Sequence, residues 1–166
     1  MNAIFTRRSI RKYTAEKIPA ELLKKLLEAA MSAPSAGNQQ PWQFLVIQER
    51  EMLAKIADVS PYAKMTKDAA AAIMVCVDLA REKFVGFWVQ DCSAAIENLL
   101  LEATDSGLGA VWLGMYPLID RVDLLRQLFQ LPDQIVPLAV IALGYPAETK
   151  PPQNRYHETN VHWETW

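Results

Sequence analysis

Two stretches of this chain hold the side chains best suited to chemistry. The first is Arg7-Arg8-Ser9-Ile10-Arg11-Lys12-Tyr13. Guanidinium groups next to a hydroxyl are a common means of holding a phosphate through charge-assisted hydrogen bonds. A solvated basic run would look the same in composition, since Arg7, Arg8, Arg11, Lys12 and Lys17 are opposed early in the chain only by Glu16. The second stretch is Ala33-Pro34-Ser35-Ala36-Gly37-Asn38-Gln39-Gln40-Pro41-Trp42. Pro34 and Pro41 fix φ and stiffen both ends, and Gly37 is free to take positive φ where the backbone must reverse or approach something closely. Between them Ser35, Asn38, Gln39 and Gln40 offer a dense set of donors and acceptors. Polar loops on a firm scaffold are where ligand sites tend to sit. A polar turn closed by two prolines is the simpler alternative.

Other chemistry has less support. The two cysteines, Cys76 and Cys92, lie in apolar surroundings and have no His or Cys at ligand spacing, so both read as packing residues. His157 and His162 lack a third ligand, and no metal site is expected.

Together the two stretches resemble the nitroreductase family of FMN-dependent oxidoreductases. That family carries an N-terminal Arg-Arg-Ser-x-Arg and, further on, Ala-Pro-Ser-x-x-Asn-x-Gln-Pro-Trp, and both patterns are complete here. The run Asp91 to Ala103, then Gly107 to Gly114, and finally Gly144-Tyr145-Pro146 with Arg155 extend the likeness over nearly the whole chain, in order. The resemblance implies FMN as cofactor. It assigns Arg7, Arg8 and Ser9 to the phosphate and ribityl end, with Arg155 as a second phosphate cation. Arg11 would be the cation beside flavin N1 and O2. Leu113 and Gly114 would end a strand whose backbone amide points at N5, which makes Arg11 and Gly114 the catalytic candidates. Pro34, Ser35, Asn38 and Gln40 would contact the flavin, the loop reaching the ring from the other subunit of a homodimer. The implied activity takes hydride from NADH or NADPH and passes electrons to a nitroaromatic, quinone or similar acceptor by a ping-pong route. A flavin-binding carrier or redox sensor without turnover is the alternative, and flavin cleavage or dehalogenation, found in some relatives, is not asked for by any residue here. One departure is evident. Where the family often has a second basic residue before the terminal Arg, this chain has Gln153, and Lys150 is the candidate replacement. The chain also lacks the insert with which larger members cover the substrate, so an open pocket is expected.

The elements that must position these residues can be read in outline. A chain of 166 residues, 51% hydrophobic and 22% charged, fits one soluble domain. Its net charge of −2 gives no basic face for nucleic acid. No apolar run approaches the roughly 18 residues that span a bilayer. Lys12, Glu16 and Lys17 interrupt any export signal after Arg7-Arg8, and a cytoplasmic protein is expected. Met1–Thr6 reads as a short helix. Pro19 opens an amphipathic helix to about Met31, with Leu22, Leu23, Leu26, Leu27 and Ala30 on one face. Strands are expected at Phe44–Ile47, Ala69–Asp78, Ala110–Gly114 and Ile135–Leu143, helices at Arg50–Asp58, Phe87–Asp105 and Ile119–Phe129, and a loop or broken turn at Ser60–Asp68. The 87–105 helix is apolar around much of its girth, which requires burial on more than one side, and a partner subunit is one way to supply it. Residues 146–166 read as an arm on the partner, anchored by Tyr156, Trp163 and Trp166. The expected class is α+β: one domain over 1–166 with a mixed sheet of four to five strands flanked by helices, dimeric with exchange of the arm. A Rossmann fold is disfavoured, because Gly107-Leu108-Gly109-Ala110 leads into a strand instead of opening a helix.

Overall fold

The computed structural model describes residues 2–166. Its elements run α1 (Ala3–Thr6), α2 (Ala20–Met31), β1 (Trp42–Ile47), α3 (Arg50–Val59), β2 (Ala71–Asp78), α4 (Trp88–Asp105), β3 (Gly109–Gly114), α5 (Ile119–Phe129) and β4 (Ile135–Gly144). Met1, where the first predicted helix begins, lies outside the described residues. The segment expected as a broken turn is a 3₁₀-helix over Pro61–Asp68, started by Ser60 Oγ accepting from Tyr62 N at 3.2 Å.

Four strands form one sheet in the order β1-β2-β4-β3. Every ladder is antiparallel, where a mixed sheet was expected. The parallel contact is an isolated bridge from Ser9 to Ala110 at the sheet's end. The expectation of mixed strands drew on helices and strands that alternate without a strict βαβ period, and such alternation does not set strand direction; the long apolar runs report burial on both faces. In β2 the alternate residues Ala71, Ile73, Val75 and Val77 face α2 and α4, while Ala72, Met74 and Cys76 face a second core that includes Leu53 and Ile56 of α3 and Leu125 of α5. A sheet covered on both sides needs apolar residues at every position of its central strands. α4 lies between the sheet and the α1–α2 layer, which accounts within one chain for much of the apolar girth that suggested a partner.

Three local devices aim this scaffold at one end of the sheet. Pro137 of β4 cannot donate to the ladder, and beside it the register to β2 slips, leaving Leu138 as a bulge. The Leu138 carbonyl then accepts from Met115 N at 3.0 Å and Tyr116 N at 3.1 Å, which fixes the chain just beyond Gly114. Residues 9–14 cross the ends of β3 and β4, held by Ile10 N to Ala110 O at 3.0 Å and Thr14 N to Tyr145 O at 2.9 Å. This crossing needs Gly109 and Gly144: a Cβ would come within 2.7 Å of the Ile10 side chain at the first and 2.8 Å of the Tyr13 ring at the second. Residues 151–166 are exposed throughout, with Trp163 at 81% and Trp166 at 100%. No helix among the described residues is long and apolar enough to cross a membrane.

Candidate active site

The crossing segment places its basic residues against residues 148–155. Arg8, Ser9, Arg11, Lys150, Gln153 and Arg155 line a cleft of about 340 Å³. Arg8 Nε donates to Pro151 O at 2.8 Å and Nη1 to Arg7 O at 2.6 Å. Its Nη2 is buried without a partner, alone in this among side-chain nitrogens and oxygens of the described residues. A buried unpartnered guanidinium N–H is costly, and an anion in the cleft would relieve the cost. Lys150 Nζ donates to Ser9 O at 2.6 Å, and both residues between which the sequence left a choice, Lys150 and Gln153, line the cleft. Gln153 serves to orient Arg155, whose Nε and Nη2 donate to its Oε1 at 3.3 and 3.1 Å. Arg7 does not join this group. It turns towards Glu97 of α4 at 3.5 Å and lines a neighbouring cavity with Phe5 and Tyr156.

Arg11 connects the cleft to a second, larger cavity of about 560 Å³ at the end of β3, whose walls include Leu113, Gly114, Tyr62, Met65, Trp112 and Arg121. The two catalytic candidates, Arg11 and Gly114, therefore share one cavity. The backbone of Arg11 is fixed by its N–H, which donates to Glu148 Oε1 at 2.6 Å, and Glu148 pairs in turn with Lys150 at 3.4 Å. The Arg11 N–H and then the lysine hold the Glu148 carboxyl below its ordinary range. Behind this segment the Tyr13 hydroxyl donates to Ile10 O at 2.7 Å and lies 3.2 Å from Ala142 O. Burial, the largest influence on it, raises the Tyr13 phenol well above its usual value and keeps it neutral.

The amide-rich loop has a different place. Ser35 Oγ accepts from Gln40 N at 3.0 Å, while Gly37, Asn38 and Gln40 take φ of 51°, 54° and 47°. A Cβ on Gly37 would run into the half-exposed Phe84 ring, and its φ of 51° favours glycine. Gln39, buried, is the fastener: its Nε2 donates to Asp91 Oδ2 at 2.6 Å, and its Oε1 accepts from Lys83 N at 2.8 Å and Phe84 N at 3.0 Å. Asp91 also accepts from Ala36 N at 2.9 Å. Gln40 lines a separate cavity of about 380 Å³ with Trp42 and Phe44. Pro34, Ser35 and Asn38 line neither the Arg8 cleft nor the Gly114 cavity. Within one chain the structure thus gathers Arg8, Ser9, Arg11, Leu113, Gly114 and Arg155, and leaves the loop residues elsewhere.

Sequence reasoning missed Glu148, Arg121 and the Gln39–Asp91 fastener. Gln39 gave a faint signal, an amide among amides. Asp91 gave a better one, a lone acid early in a helix that is otherwise apolar on that side. Glu148 gave none, because its meaning depends on a contact 137 residues away. Cys76 and Cys92 are both buried, and burial pushes each thiol up to about 12.

Comparison with known proteins places this arrangement. The model of the nitroreductase family matches residues 4–70 and 60–145. A protein of Methanothermobacter thermautotrophicus, provisionally named NADH dehydrogenase/NAD(P)H nitroreductase, is 52% identical over 100% of this chain and 87% of its own length. The crystal structure of a provisionally named NADH oxidase from Clostridium acetobutylicum is similar with a TM-score of 0.96 at 44% identity, covering 99% of both chains. A provisionally named nitroreductase from Desulfovibrio desulfuricans, solved in complex with FMN, gives 0.85 at 32% identity, covering 99% of this chain and 96% of that one. With its motifs in order and its fold shared end to end, the chain belongs to the nitroreductase family.

Proposed function

We propose that this protein is an FMN-dependent oxidoreductase that takes hydride from NADH or NADPH and reduces nitroaromatics, quinones or similar acceptors by a ping-pong mechanism. The observation that carries the reading is that Arg11 lines both a cationic cleft, which holds Arg8 with its buried unpartnered Nη2, and the cavity at Gly114. These residues fit FMN: an anionic end, a polar middle and a flat ring with one charged edge. Bound there, the flavin supplies a two-electron carrier between the nicotinamide and the acceptor. Arg8, Ser9, Lys150 and Arg155 hold the phosphate end, at roughly 1.5 to 3 kcal/mol for each charge-assisted hydrogen bond. Arg11, positioned by Glu148, places a positive charge beside the ring where reduction puts negative charge. Gly114, exposed and without a side chain, allows close approach to the end of β3.

We further infer a cytoplasmic homodimer with the flavin at the subunit interface. Two features support it. The loop of Pro34, Ser35 and Asn38 is rigid and polar yet lies off its own chain's cleft, and the arm 151–166 exposes large aromatics that a monomer leaves in water. A partner would bring that loop to the ring and cover the arm.

The test is a visible spectrum of the purified protein, followed by initial rates of NADH and NADPH oxidation with varied acceptors. Flavin absorbance with parallel double-reciprocal lines is expected. A protein that takes up no FMN, or holds it without oxidising either nicotinamide in the presence of any acceptor, would refute the reading.

A further inference from the structure

We propose that Arg121 makes the cavity at Gly114 selective for an electron acceptor carrying a negative charge, typified by an aromatic carboxylate. The inference rests on the oxidoreductase reading and names a substrate class within it.

Arg121 lines the cavity at Gly114 but not the cleft of Arg8, Lys150 and Arg155, so it stands apart from the phosphate end. Its guanidinium is held in place: Nη1 donates to Gly114 O at 3.0 Å, and Cζ lies 5.9 Å above the centre of the Tyr62 ring. That carbonyl is its one hydrogen-bond partner, and it makes no ion pair among the described residues, so most of its N–H groups are free to bind a ligand. No aspartate or glutamate lines the cavity to compete for the charge. Helix stability does not explain the residue, since a cation in the first turn of α5 opposes the helix dipole.

The rest of the wall selects the body of the ligand. Tyr62, Trp112 and Tyr116 line it with aromatic side chains, and Tyr62 is 72% exposed. A flat acceptor ring lying beside the flavin on the Tyr62 side of the cavity would place a carboxylate within reach of a planar fork that matches it bidentately. An uncharged ring of the same shape would gain the stacking alone.

The experiment titrates FMN-loaded protein with benzoate and with benzamide, which differ in charge far more than in shape. Flavin absorbance and tryptophan fluorescence, which includes Trp112, give the two dissociation constants without turnover. The wild-type protein is expected to favour benzoate by at least tenfold. In Arg121→Gln the ratio should fall close to one, and Arg121→Lys should restore part of it. The same pattern is expected in kcat/KM for 4-nitrobenzoate against 4-nitrobenzamide. Equal binding of the two by the wild-type protein overturns the proposal. So does an Arg121→Gln variant that weakens both ligands in proportion, which would make the arginine a support for the cavity wall. The oxidoreductase reading fails separately, by absence of NAD(P)H oxidation with every acceptor, neutral ones included, and the fluorescence ratio is read in either case.

Discussion

Replacing Arg11 with alanine tests the electrostatic part of the mechanism directly. The side chain is exposed, lies at the junction of the cleft and the larger cavity, and is anchored through its own backbone to Glu148. A unit charge about 4 Å from the ring would interact with roughly 4 kcal/mol at an effective dielectric of about 20. Water reaches this side chain, so screening leaves about 1 to 2 kcal/mol. For a two-electron couple, about 1.4 kcal/mol corresponds to roughly 30 mV. The flavin potential in Arg11→Ala is therefore expected to fall by about 20 to 45 mV, and hydride uptake from NAD(P)H to slow. Lys12→Ala is the control: Lys12 is exposed and lines neither the Arg8 cleft nor the Gly114 cavity, and its carbonyl, which accepts from Ala147 N at 2.9 Å, survives the substitution. Redox titration of both variants against a reference dye gives the answer. An unchanged potential in Arg11→Ala would show that this arginine belongs to a solvated basic run and does not act on the ring.

Arg155→Ala is expected to weaken FMN by tenfold or more while leaving riboflavin, which lacks the phosphate, nearly unaffected; equal losses in flavin titrations would remove Arg155 from the phosphate end. Deleting residues 153–166 is expected to cost dimer and flavin together, and sedimentation showing a flavin-loaded monomer would contradict a shared interface. Glu148 has a folded-state pKa below the usual carboxylate value of 4.5, so its hold on the Arg11 backbone is present above that value and is lost as pH falls through the depressed one. Flavin retention in acid should accordingly weaken below that pH in the wild-type protein, whereas Glu148→Gln should bind more weakly at neutral pH and lose that part of the acid dependence.

How much of this was legible from residues alone varies with the range of the interaction. Helices α2, α4 and α5 announced themselves because an apolar stripe is a local pattern, and α5 was expected at its observed bounds, Ile119–Phe129. The apolar runs of β2 and β4 suit the two central strands of the sheet, yet say nothing of direction, which is set by connections and not by side chains. The basic segment could be picked out from the sequence, but its division could not. Arg7 leaves for Glu97 and Lys150 enters to reach Ser9, and each move depends on a partner far away in sequence. Gly109 and Gly144 stood in the sequence as parts of the family likeness. Their meaning is steric, and it appears only when Ile10 and Tyr13 are seen lying over them. Arg121 was passed over because nothing local separates a cavity-lining arginine from any other in an amphipathic helix.

The Gln39–Asp91 fastener has a consequence for assembly. Every polar arm of Gln39 is committed to its own chain, and Gly37 is pinned beneath Phe84, so the loop from Pro34 to Pro41 has its shape before a second copy arrives. Beyond Pro151, whose carbonyl accepts from Arg8 Nε, the arm to 166 has no hydrogen bond to the body of its own chain among the described residues, and on docking it would lose rotamer freedom, at roughly 0.5 to 1.5 kcal/mol for each long side chain fixed. Association would then join a rigid die to a pliable strap. Most of the entropic cost falls on the strap, and the geometry offered to the ring is set by the die. Loosening Asp91 would shift that cost to the loop, and dimers would form more weakly although no residue at the contact had changed.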